Sequence, residues 1–138
     1  MSLLVSCCFL SCGGGGRGPE IGRVYGKVTL GGKPLPKASV QFVPEQARMS
    51  AAITDDDGNY ELVYSRGTKG AVVGTHTVRV STGVLNNETL GIEAAPELVP
   101  AKYNTKTTLK YEVKPGKNEI NLDLDAQGEI IQPKAAVD

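Results

Sequence analysis

Tryptophan is absent from this chain, histidine occurs once and phenylalanine twice. A single histidine excludes any site built on two or more, such as a His-rich zinc centre or a two-histidine acid–base pair. Net charge is also missing: 15 basic side chains balance 15 acidic ones. That argues against nucleic acid as a partner, because phosphate neutralisation normally needs a basic face. No apolar run reaches the roughly 20 residues that a membrane-spanning helix requires. No segment carries a helical apolar stripe longer than a couple of turns. Cysteine is confined to Cys7, Cys8 and Cys12, so a disulfide-stapled core is excluded. Three thiolates without a fourth ligand nearby make a poor metal site, and no cofactor is expected.

What remains is a turn-rich chain of 138 residues with 17 Gly and 8 Pro, long enough for one domain with a real core. From Arg23 onward its apolar residues recur with a period of two, the signature of half-buried strands. Val24, Gly26, Val28 and Leu30 form the first such face, and Ala38, Val40 and Phe42 the second. Ala51 and Ile53 form a third. Tyr60, Leu62 and Tyr64 follow, then His76, Val78 and Val80, then Leu109, Tyr111 and Val113, and last Ile120, Leu122 and Leu124. Turn chemistry separates these runs. Gly31-Gly32 and Asp57-Gly58 tolerate positive φ, and Lys114-Pro115-Gly116-Lys117 pairs a φ-fixing Pro with a Gly. Seven short strands of this kind predict an all-β, two-sheet sandwich. Residues 82–98 lack any period and form a long loop, the kind that often carries function. Residues 126–138 read as a C-terminal tail.

Residues 1–12 read as a signal segment rather than as fold. The basic residues that precede the apolar stretch of an export signal are missing, which leaves a late start codon or a weak signal as explanations. Phe9-Leu10-Ser11-Cys12, followed by Gly13-Gly14-Gly15-Gly16, resembles a bacterial lipobox with its tether. Leu4-Val5-Ser6-Cys7 fits the motif letters better but leaves almost no apolar stretch before it. Cys12 is therefore the expected lipidation site, with residues 13–22 as a Gly-rich tether.

Longer motifs carry a second resemblance. Val24-Tyr25-Gly26-Lys27-Val28-Thr29-Leu30, then Gly32-Lys33-Pro34-Leu35-Pro36-Lys37-Ala38, then Val40-Gln41-Phe42 resemble the opening of carboxypeptidase regulatory-like domains. Thr54-Asp55-Asp56-Asp57-Gly58-Asn59-Tyr60-Glu61-Leu62 resembles their next hallmark. Val99-Pro100-Ala101-Lys102-Tyr103-Asn104 and Val113-Lys114-Pro115-Gly116-Lys117-Asn118 resemble a bacterial lipoprotein branch of that group. The resemblance covers residues 23–125. It implies a seven-stranded transthyretin-like (prealbumin-like) sandwich with Greek-key connections, used as a non-catalytic binding or structural module, and it brings no catalytic residues with it.

Three residue groups invite a sharper chemistry, and each has a plainer explanation. Asp55, Asp56 and Asp57 cluster oxygen ligands of the type calcium favours, but the alternating ligands and distant Glu of a calcium loop are missing; an acidic hairpin turn accounts for them. His76 falls on a core face without a Ser or Cys partner at a recognisable spacing, so a hydrogen-bonded core histidine is expected. Tyr64-Ser65-Arg66-Gly67-Thr68 is faintly similar to the Tyr-Arg-Gly-Ser ending of hydroxyisourate hydrolases, which share the transthyretin-like fold. Those enzymes need more than one histidine, and the stretch lacks the context of a phosphate-binding loop. Tyr60, Tyr64 and Tyr111 read as core residues with a polar tip, and Tyr25 as part of a contact surface.

The expected protein is thus an envelope lipoprotein, not an enzyme. A lipid anchor holds it on the membrane, facing the periplasm or exterior, and its partners are envelope proteins or polysaccharide. A transthyretin-like small-molecule carrier is the alternative, and a hydrolase ranks third.

Overall fold

A computed structural model describes residues 19–134. Cys12 and the other signal and tether residues up to 18 lie outside it, as do residues 135–138. In chain order the strands are β1 (Ile21–Leu30), β2 (Lys33–Pro34), β3 (Ser39–Pro44), β4 (Ser50–Ile53), β5 (Asn59–Glu61), β6 (Val63–Ser65), β7 (Thr68–Lys69), β8 (Ala71–Val72), β9 (Gly74–Ser81), β10 (Lys110–Val113), β11 (Lys117–Glu119) and β12 (Leu122–Leu124). They form two sheets, so the chain is all-β and of sandwich type. In the first, β1 is central. It pairs in parallel with β11 and β12 and antiparallel with β2, β5 and β8. The second runs β10-β9-β3-β4-β6-β7, antiparallel throughout.

Alternation explains the core. Val24 and Val28 from β1, Val40 and Phe42 from β3, Val78 and Val80 from β9, and Leu122 and Leu124 from β12 are buried in one cluster between the sheets. Each such side chain contributes about 1.5–3 kcal/mol of transfer free energy. Their neighbours along each strand point to solvent, as the pleat requires. Phe42, His76 and Tyr111 form an aromatic group inside: His76 lies 5.7 Å from Phe42, and Tyr111 stacks on Phe42 at 6.5 Å.

Two faces differ from the sequence expectation. In β4 the inward residues are Ser50 and Ala52, whereas Ala51 is half-buried and Ile53 is 66% exposed. Register decides this, since directly opposed antiparallel residues share a face. Ser50 lies opposite Phe42, and Ala52 opposite Val40. The run Tyr60-Leu62-Tyr64 is also not one strand. The chain crosses from the first sheet (β5) to the second (β6) at Leu62, whose N–H donates to the Val24 carbonyl. Tyr60 and Leu62 are buried, but Tyr64 is only half-buried and carries the Arg48 guanidinium 5.7 Å over its ring.

A close approach organises the centre of the first sheet. Between β11 and β12 the Ile120 carbonyl turns toward β1 directly beneath Gly26, where an added methyl would overlap it. Tyr60, the cross-strand partner of Gly26 on β5, reaches over the bare glycine and donates its hydroxyl to that carbonyl at 2.6 Å. Asn121 completes the junction, its Oδ1 accepting the Lys27 N–H at 3.0 Å. Burial, reinforced by the neighbouring Tyr111, pushes the Tyr60 phenol well above its ordinary range, so it stays a neutral donor.

Candidate functional site

The alternation that sends Val24 and Val28 inward sends Arg23, Tyr25, Lys27 and Thr29 outward along β1. The flanking strands bring their own outward residues into register. Arg23 lies opposite Lys117, Tyr25 between Glu61 and Glu119, Lys27 beside Asn59, and Thr29 beside Asp123. Together with Ile53 and Asp55 they line an open groove of about 960 Å³ across the first sheet.

The groove has a banded charge pattern. Moving along β1 the rows read basic (Arg23, Lys117), acidic around an aromatic (Glu61, Tyr25, Glu119), basic with an amide (Lys27, Asn59), then acidic (Thr29, Asp123). Rows are two residues apart, about 7 Å. Like charges directly opposed across strands are unfavourable, so the Arg23–Lys117 pair works against stability. Ion pairs offset part of that: Arg23 Nε donates diagonally to Glu61 Oε2 at 2.9 Å, and Lys69 adds a longer contact of 3.9 Å to Glu61. In the last row Thr29 donates to its direct partner Asp123 at 2.9 Å. Local violations of folding rules concentrate where a surface has another task.

The other candidates are structural in their surroundings. Asp55 Oδ1 accepts from the Asp57 and Asn59 N–H groups, both at 2.9 Å, and Gly58 takes φ of 82°; this is an Asx-type turn. Among the described residues, no group of three or more His, Cys, Asp or Glu side chains is placed to hold a metal ion. His76 is fully buried, and its Nε2 donates to the Val72 carbonyl at 2.6 Å, while Nδ1 faces the apolar interior without a partner among the described residues. Arg66 and Gly67 are exposed in the turn between β6 and β7. Among the described residues, no helix is long and apolar enough to cross a membrane.

Glu97 is a polar centre that the sequence reading does not single out. It is buried at the neck of the 83–96 excursion. Its carboxylate accepts from Ser81 Oγ at 2.5 Å and from the N–H groups of Thr82 (2.8 Å), Val99 (3.1 Å) and Gly83 (3.3 Å). Burial pushes this carboxyl up, but the Ser81, Thr82, Val99 and Gly83 bonds together outweigh burial and hold it below its ordinary value. The Gln132 side-chain amide pairs with both the N–H and the carbonyl of Glu97, at 2.9 and 3.1 Å. The segment that reads as a tail is therefore held against the neck as far as it is described. Beyond the neck, Val84, Leu85, Leu90 and Ile92 are exposed on the excursion. The missed signal is a lone Glu between apolar residues, Pro96-Glu97-Leu98-Val99.

No protein-family description matches the chain, and no curated protein matches it either. Among solved structures, it is similar to a DUF3823 family protein from Parabacteroides merdae, with 16% sequence identity and a TM-score of 0.41. The likeness covers 78% of this chain and 47% of that one, so the chain spans about half of that protein's length.

Proposed function

We propose that this chain is a non-catalytic binding module of the carboxypeptidase regulatory-like type, tethered to the cell envelope by lipid on Cys12. In this reading the sandwich is the seven-stranded transthyretin-like one, with the small additional strands as elaborations. The single observation that carries the reading is the groove on the outer face of the first sheet. Its side chains come from β1, β5, β11 and β12, whose pairing fixes the position from which each is presented, so binding needs no rearrangement of the backbone. The motifs that resemble that family and the lipobox letters support the reading.

One sample tests both halves. The full chain is extracted from the membrane fraction with detergent, and its N-terminal peptide is weighed. A chain that begins at Cys12 with added acyl mass is expected; an unmodified chain in the soluble fraction overturns the tether. The same preparation, before extraction, is footprinted with hydroxyl radicals. Tyr25 should be protected in the envelope relative to the purified protein, with Tyr64 as internal reference. Equal labelling of Tyr25 in both states overturns the groove as the binding face.

A further inference from the structure

We infer that the groove takes a neutral polysaccharide chain, an inference that rests on the groove being the binding face. Basic and acidic rows alternate at about 7 Å along β1, less than the ~8 Å Debye length at physiological salt. A polymer of uniform charge laid along the strands would meet repulsion at every second row. Its attraction to one band would be cancelled by the next. A neutral chain pays no such cost and finds donors and acceptors alternating under it.

The chemistry of the rows fits hydroxyl groups. Lys27 supplies a donor, Glu119 and Asp123 supply acceptors, and Asn59 supplies both, all outward on the groove. A hydroxyl needs both roles, since it donates once and accepts through two lone pairs. Tyr25, half-buried in the floor between two carboxylates, offers a rigid ring with a polar tip, an amphipathic surface of low conformational entropy. The C–H face of a sugar ring can lie on it while its hydroxyls reach the rows on either side. The groove is open rather than enclosed, so a long chain can pass through where a free small molecule would lose most of its burial.

The test is affinity electrophoresis of the full chain in detergent, through gels carrying a neutral β-glucan, a neutral galactomannan, or the acidic polymer polygalacturonate. At least one neutral polysaccharide should retard the protein, with a dissociation constant that changes less than twofold between 50 and 300 mM salt. Tyr25→Ala should weaken that retardation at least fivefold, and Tyr25→Phe should restore most of it. Melting curves confirm that both variants are folded. Asn59→Ala, at an exposed position, provides a second variant and should weaken binding at least twofold. Retardation by polygalacturonate alone, lost at high salt, overturns the inference. So does retardation by a neutral polymer that Tyr25→Ala and Asn59→Ala leave unchanged, and so does no retardation in any gel. Envelope protection of Tyr25 without binding to any of the neutral polymers would overturn the ligand class while leaving the binding face intact. Without that protection, the binding face itself fails.

Discussion

Gly26→Ala should destabilise the domain more than any exposed positive-φ glycine, although Gly26 itself sits outside the left-handed region. The methyl would point at the Ile120 carbonyl oxygen, a backbone atom that cannot swing aside. Relieving the overlap requires β1 and the β11–β12 junction to part by roughly 1 Å, judged against normal non-bonded separations. Three hydrogen bonds cross that gap or end on it: Ile120 N–H to the Tyr25 carbonyl at 2.8 Å, Lys27 N–H to Asn121 Oδ1 at 3.0 Å, and Tyr60 hydroxyl to the Ile120 carbonyl at 2.6 Å. At about 1 kcal/mol net for each bond, losing them costs about 3 kcal/mol. The lower unfolded-state entropy of alanine returns about 0.5 kcal/mol. For a domain of this size the balance lowers Tm by about 10 °C. The comparison is Gly91→Ala, where φ is +69° but nothing lies within 4 Å of an added methyl; left-handed strain there costs about 1–2 kcal/mol. Both variants are followed by thermal unfolding in circular dichroism. If Gly26→Ala melts within about 2 °C of the parent protein, or above Gly91→Ala, the close-approach argument is wrong.

Val78→Asp places a charge at a fully buried position between the sheets and should abolish cooperative unfolding, since such burial costs more than a typical domain's margin; a native-like melt would contradict the register of β9. Asp55→Ala should cost about 1–2 kcal/mol by freeing the two N–H groups that its Oδ1 holds, whereas Asp57→Ala should stay within about 0.5 kcal/mol; denaturant titration ranks them, and the reverse order would refute the Asx-turn reading. Glu97 has a folded-state carboxyl value held below the ordinary 4.5, so its contribution is present above that value and is lost as pH falls through the folded one. Stability of the parent protein should drop relative to Glu97→Gln as pH falls below the ordinary carboxyl value and through the lower folded one, and parallel pH curves would count against the clamp.

The long strands are legible in the sequence because β1, β3 and β9 each alternate a buried, mostly apolar face with an outward one. The switch at Leu62 is not, because a strand that changes sheets keeps its alternation while changing partners. The inward face of β4 is hidden for a different reason: Ser50 and Ala52 carry little apolar signal, while Ile53, exposed beside them, carries a strong one. Tyr25 could be placed on an outer face by counting along β1. Its surroundings could not, because Glu119 stands 94 positions away and reaches it only through parallel pairing. Glu97 stays silent for the opposite reason. Its partners are mostly backbone N–H groups, which no side-chain pattern announces.

The parallel pairing of β1 with β11 and β12 also governs when this protein can acquire its structure. The parallel partners of β1 lie 94 residues further along the chain, Lys117 opposite Arg23 and Leu122 opposite Val28, so the first sheet cannot close until β11 and β12 are in place. Long-range pairing of this kind slows folding, because loop closure precedes any gain from contact. Closure is completed when β12 pairs with β1 and the Ile120 carbonyl is locked under Gly26.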